Sequence, residues 1–135
     1  MKALVTGGTG FVGSHIVRAL NAAGHTARVL HRATSRLDAL DDTIFESAPG
    51  DILDAASLQA ACAGCDWVFH VAAVADYWRS THDEIIEANV GGTAQVLAAA
   101  KEASVKRVVF TSSAAAVGLH ADGSPSDEQV AFNGS

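Results

Sequence analysis

The chain has 135 residues, 49% of them hydrophobic and 18% charged, with a formal net charge of −6. This length fits one domain with a real core, and this balance excludes a disordered chain. The charge is spread without basic blocks, which excludes a nucleic-acid footprint, and no apolar run approaches the ~18 residues of a membrane span.

Lys2 to Thr6 reads as a first strand, and Met1-Lys2-Ala3 leaves no room for a signal peptide, so a cytoplasmic place is the default expectation. The strand runs into Gly7-Gly8-Thr9-Gly10-Phe11-Val12-Gly13, and a helix is expected over 11–23, closed by Gly24. Val12, Ile16, Ala19, Leu20 and Ala23 give that helix its apolar spacing. The glycines carry a steric argument. Gly7 is free to take the positive φ of a tight turn, Gly10 lets backbone approach a ligand, and Gly13 lets helix and strand pack closely. Thr9 completes the turn, and the amides of Phe11 and Val12 would face phosphate oxygens at the positive end of the helix. This is the pattern of a dinucleotide site; an ordinary strand-to-helix turn is the competing reading.

A second strand is expected over Thr26 to His31, a short helix over 35–40, a third strand over 43–47 and a turn at Pro49-Gly50-Asp51. Asp54 caps a helix running to Cys62, and 67–71 is a continuous apolar fourth strand. Thr81 or Asp83 opens a long helix to Glu102, with Ile86, Val90, Thr93, Leu97 and Ala100 on one face, and 107–111 is the fifth strand. Strands alternating with helices through short loops predict an α/β, Rossmann-type, doubly wound parallel sheet in the order 3-2-1-4-5. The nucleotide-binding unit is expected over 1–118, and 119–135, rich in Gly, Ser and Asp, reads as loop.

Ligands of such sheets sit at the carboxyl ends of the strands. The acid that would accept from a ribose diol is missing after the second strand: His31, eighteen residues beyond Gly13, is followed by Arg32. Arg32, with Arg36 as a second candidate, offers a guanidinium suited to a 2′-phosphate, which favours NADP with NAD as second choice. Stacking on the adenine, or simple solvation, is the alternative role for Arg32.

Asp51 is placed to accept from an adenine amino group and Ile52 to flank the ring, with N-capping the alternative for Asp51. His70 reads as a packed histidine, and Val71, Ala72 and Ala73 are small enough for a coenzyme to lie against their backbone. Asp76-Tyr77-Trp78-Arg79 fits either a substrate wall or an aromatic subunit contact. Ser112 and Ser113 leave the fifth strand, where a hydroxyl can bond a substrate oxygen. Cys62 and Cys65 lack the four ligands of a structural zinc and read as small buried residues, so no metal is expected.

Taken together, Thr6 to Gly13, Gly50-Asp51-Ile52, His70 to Ala73, Asn89-Val90-Gly91-Gly92-Thr93 and Val108 to Ser113 resemble the extended short-chain dehydrogenase/reductases. Within these the chain is most similar to the NAD-dependent epimerase/dehydratase group, in particular its dihydroflavonol reductase-like members and hopanoid-associated sugar epimerases. The resemblance implies hydride transfer on a carbonyl or secondary alcohol of a small molecule. It makes Ser113 the catalytic serine, gives Asn89 a role in positioning backbone and coenzyme, with a plain helix hydrogen bond as the alternative, and implies a homodimer through the long helix.

The family's Y-x-x-x-K is missing here: Tyr77 is the sole tyrosine, and its fourth neighbour is Thr81. The expectation is therefore the N-terminal part of a longer enzyme, with the Tyr/Lys helix and a substrate domain following residue 135, and no turnover by this chain alone. The competing functions are a non-catalytic NADP(H)-binding or redox-sensing module, and a fragment that folds poorly.

Overall fold

The computed structural model of the chain describes residues 1–76 and 78–134. Five parallel strands form one sheet in the order β3-β2-β1-β4-β5: β1 (Lys2–Thr6), β2 (Thr26–His31), β3 (Phe45–Pro49), β4 (Trp67–His70) and β5 (Arg107–Phe110). The alternation of side chains along β1 divides the core. Ala3 and Val5 face one layer with Val17, Leu20, Ala27, Val29 and Leu40; Leu4 faces the other with Leu58, Val68, Val96 and Ala100.

Helix α1 (Phe11–Ala22) covers the first face, while α2 (Ala55–Cys62) and α4 (Thr93–Glu102) cover the second. The chain therefore changes face between α1 and α2, and the order of strands reverses at β1 and β4. That reversal opens a crevice at their carboxyl ends.

Helix α1 stops one residue before the expected end. Gly24, at φ 73°, donates to the carbonyl of Asn21 while His25 donates to that of Leu20, a glycine-terminated double closure. Its buried stripe is Gly13, Val17 and Leu20, whereas Val12 is 49% exposed because it stands at the cleft mouth.

The expected helix over 35–40 is a single 3-10 turn, Asp38–Leu40, and the expected strand over 43–47 lies two residues later. Both main-chain groups of Ile44 bond the Asn21 side chain, at 2.8 and 2.9 Å, and the Thr43 amide closes on Leu40, so neither residue is free to join the ladder. Pro49 is tolerated at the end of β3 because that strand is an edge. Strands β4 and β5 end one residue early, where the amides of Val71 and Thr111 turn to Thr6 and His70.

The long helix starts at Thr81, whose hydroxyl accepts from the Glu84 amide while the Glu84 carboxylate accepts from the Thr81 amide. It is not one uniform helix: α3 (His82–Ile86) passes through wide π turns over Glu87–Gly92 before α4. These turns rotate the helix face, so Val96, Ala99 and Ala100 enter the core, whereas Ile86, Val90 and Leu97 are exposed. Beyond a 3-10 turn at Ala114–Ala116, the described chain continues as turns and loop. No helix among the described residues is long and apolar enough to cross a membrane.

Candidate functional site

A cleft of about 490 Å³ opens where β1 to β4 end. Gly7, Thr9, Gly10, Phe11, Val12 and Gly13 line it from the first turn, Arg32 from the end of β2, Asp51 and Ile52 from the end of β3, and Val71, Ala72 and Ala73 from the end of β4. Leu30, His31, Gly50, Leu53 and Ala88 also line the cleft, as do Ser35 and Val74, which sequence reasoning missed. Two expected residues lie elsewhere. Ser113 is exposed and accepts the Ala115 amide at 3.1 Å as cap of the 3-10 turn, and Asn89 sits behind the wall.

The glycine turn is built by close approach. Gly7 has φ 69°, and a Cβ there would lie 2.6 Å from the Ala72 nitrogen, so this turn and the 71–72 backbone touch directly. Gly13 is crowded by the Gly7 carbonyl carbon, which a Cβ would meet at 2.7 Å; its smallness serves packing on the turn itself rather than on the strand. Gly8, unassigned from sequence, makes room for Val29. Gly10 differs: it caps α1 in extended conformation, and a Cβ there would meet one atom, the Gly7 oxygen at 3.4 Å.

Among the described residues, the amides of Phe11, Val12 and Gly13 have no acceptor, since the first bond back into α1 comes from Ser14 to Gly10. This helix end has no side-chain cap and no acidic residue in its first turn. Its three free N–H groups and its dipole therefore present positive potential to the cleft. Arg32 is exposed and makes no ion pair among the described residues, whereas Arg36 is held by Asp38 at 2.6 Å and lies off the wall. Asp51 turns one carboxylate oxygen to the Leu53 amide at 3.0 Å, and the N-cap role belongs to Asp54. Ile52 packs over Gly92, where a Cβ would come within 2.6 Å of its Cδ1.

Behind the wall lies a polar network, buried at Thr6 and His70 and half-buried at Thr93 and Asn89. Thr6 Oγ1 and His70 Nδ1 are 2.7 Å apart, His70 Nε2 and Thr93 Oγ1 are 2.9 Å apart, and the Thr93 hydroxyl donates to the Asn89 carbonyl at 2.6 Å. Thr6 Oγ1 also accepts the Val71 and Ala72 amides, and the Asn89 side chain takes both main-chain groups of Val74. His70 is fully buried and stacked on Phe110, and burial holds its imidazole below its ordinary pKa. The parallel register that sets Thr6 beside His70, and the four-residue spacing from Asn89 to Thr93, were the signals available for it.

Tyr77 lies outside the described residues; of its neighbours, Trp78 is 96% exposed and Asp76 pairs with Arg79 at 3.6 Å. His120 lines a separate shallow hollow with Ala114, Leu119 and Phe132. Cys62 and Cys65 are buried free thiols, and burial pushes Cys62 up to about 11, so it stays protonated near neutral pH.

Comparison with known proteins agrees with this geometry. A protein of Synechocystis sp. with the provisional name dihydroflavonol 4-reductase is 43% identical over 124 residues, which cover 92% of this chain and 36% of that protein. The crystal structure of gox2253 is 41% identical with a TM-score of 0.90, covering 97% of this chain and 40% of its own. UDP-glucose-4-epimerase of Stenotrophomonas maltophila, solved with bound NAD and formylated UDP-arabinopyranose, is 27% identical with a TM-score of 0.82, covering 98% and 43%. This chain thus spans well under half the length of these relatives. The profile of the NAD dependent epimerase/dehydratase family matches residues 3–134, and the chain belongs to that family.

Proposed function

We propose that the chain is the coenzyme-holding part of an NAD(P)-dependent oxidoreductase or epimerase that transfers hydride to or from a carbonyl or secondary alcohol of a small molecule. The observation that carries this reading is the row of free amides at Phe11, Val12 and Gly13, set in a cleft whose glycine edge leaves space for a pyrophosphate. The bound coenzyme supplies the hydride acceptor or donor. Holding it is the work of this chain: the α1 amides hold the diphosphate, Asp51 and Ile52 hold the adenine, and the 71–73 backbone floors the cleft.

NADP is the preferred coenzyme in this proposal, because the exposed Arg32 guanidinium, with Ser35 beside it on the wall, suits a 2′-phosphate and no carboxylate follows β2 directly. Ser113 is the proposed substrate-orienting hydroxyl, acting with a tyrosine outside this chain, and residues 119–135 lead toward that part. The chain by itself binds without turnover. The exposed Ile86, Val90 and Leu97 support a homodimer through the long helix, and the free thiols support a cytoplasmic place.

Fluorescence titration with NADPH and NADH tests this reading. Arg32→Ala is expected to raise the NADPH Kd about tenfold and leave NADH unchanged, as loss of a charge-assisted contact requires. Equal losses for both coenzymes would remove the NADP preference, and no binding of either would remove the proposal.

A further inference from the structure

We propose that His70, with Thr6 and Thr93 as its two partners, is a positioning residue that locks the 71–74 wall of the coenzyme cleft; this rests on the coenzyme reading above. The wall is clamped twice. At one end Thr6 Oγ1 accepts the Ala72 amide at 3.2 Å and shares the Val71 amide, also at 3.2 Å, with the Thr6 carbonyl. At the other, Asn89 accepts from the Val74 amide at 2.7 Å and donates to its carbonyl at 2.9 Å.

His70 joins the clamps, and the donors and acceptors fix its proton. With two amides already on Thr6 Oγ1, its hydroxyl proton goes to His70 Nδ1 at 2.7 Å. Nε2 then carries the ring proton and donates to Thr93 Oγ1 at 2.9 Å, because the Thr93 proton is committed to the Asn89 carbonyl at 2.6 Å. Each member has a partner, so the chain of bonds has one orientation and runs from β1 through β4 to the π turns.

The consequence for the site comes from the close approach at Gly7. A Cβ there would lie 2.6 Å from the Ala72 nitrogen and 2.9 Å from the Val71 carbonyl carbon, so the wall rests on the turn that presents the free amides. A shift of the wall is therefore a shift of the pyrophosphate cradle. A histidine that merely fills the core would affect stability and leave coenzyme affinity alone.

The test is NADPH affinity, by nucleotide fluorescence, in the full-length protein with Thr93→Val and Thr93→Ser. Valine keeps the shape and removes the hydroxyl; serine restores it. We expect Thr93→Val to weaken NADPH about five- to tenfold and Thr93→Ser to stay within about twofold of the unmodified protein. A folded Thr93→Val with unchanged affinity would overturn the inference.

Nitrogen NMR of the His70 ring in the unmodified protein gives an answer even if the valine variant does not fold. A bare Nδ1 with a protonated Nε2 supports the relay, and the opposite tautomer or a charged ring at pH 7 overturns it. Absence of NADPH binding in the unmodified protein would instead remove the coenzyme reading itself, and this inference with it.

Discussion

Replacing Gly7 and Gly10 by alanine separates the two kinds of work that the glycine turn performs. At Gly7 the φ is 69°, and the new methyl would lie 2.6 Å from the Ala72 nitrogen and 2.8 Å from its Cα. These are main-chain atoms, so relief requires the 71–72 backbone to move. The left-handed φ costs alanine about 1 kcal/mol, and forced overpacking adds about 1–3 kcal/mol. Gly7→Ala should therefore lose about 2–4 kcal/mol, and at about 3–4 °C per kcal/mol for a domain of this size the Tm should fall by roughly 6–16 °C.

Gly10 is the opposite case: its φ is −89° and its methyl would meet one atom at 3.4 Å. Gly10→Ala should hold the Tm within about 2 °C while raising the NADPH Kd about tenfold or more, since the methyl occupies the approach to the amides. Circular-dichroism melts with a parallel NADPH titration read both quantities. Equal losses of Tm in the two variants, or an unchanged Tm in Gly7→Ala, would refute this steric account.

Two further outcomes follow from the caps and the buried imidazole. Thr81→Ala removes the capping box of α3, a segment with no buried residue to hold it, and should cost about 1 kcal/mol, seen as faster hydrogen exchange across 84–87; unchanged exchange would contradict the role of the cap. Burial lowers the His70 pKa, so as pH falls the unfolded chain binds that proton first. Stability is therefore full above about pH 6.5 and is lost below it at up to about 1.4 kcal/mol per pH unit, until the folded-state pKa is reached. Urea unfolding at pH 7.5, 6.5 and 5.5 measures the slope, and His70→Gln should flatten it; the same slope in that variant would count against His70 as its source.

The sheet order and the cleft were legible in the sequence because they follow from local chemistry. The glycine run fixes a turn, the apolar strands fix a two-faced sheet, and twelve of the fourteen expected site residues line one cleft. The errors have long-range causes. Thr43 and Ile44 look like strand, but the Asn21 side chain, 23 residues away, takes the Ile44 backbone groups. The apolar stripe of the long helix assumed a regular period, and the π turns over Glu87–Gly92 break it, exposing Ile86, Val90 and Leu97. Asn89 reaches the wall by way of Val74, and Thr93 and Thr6 gain meaning only once β1 and β4 lie side by side.

The most direct test of the account is a backbone-amide NMR titration of the protein with NADPH. The account predicts saturable shifts of the Phe11, Val12 and Gly13 amides, in the direction of stronger hydrogen bonding, with one Kd shared by Ala72 and Ala73. Binding that leaves those three amides unmoved, or no binding at all, would contradict the claim that the open end of α1 holds the coenzyme diphosphate.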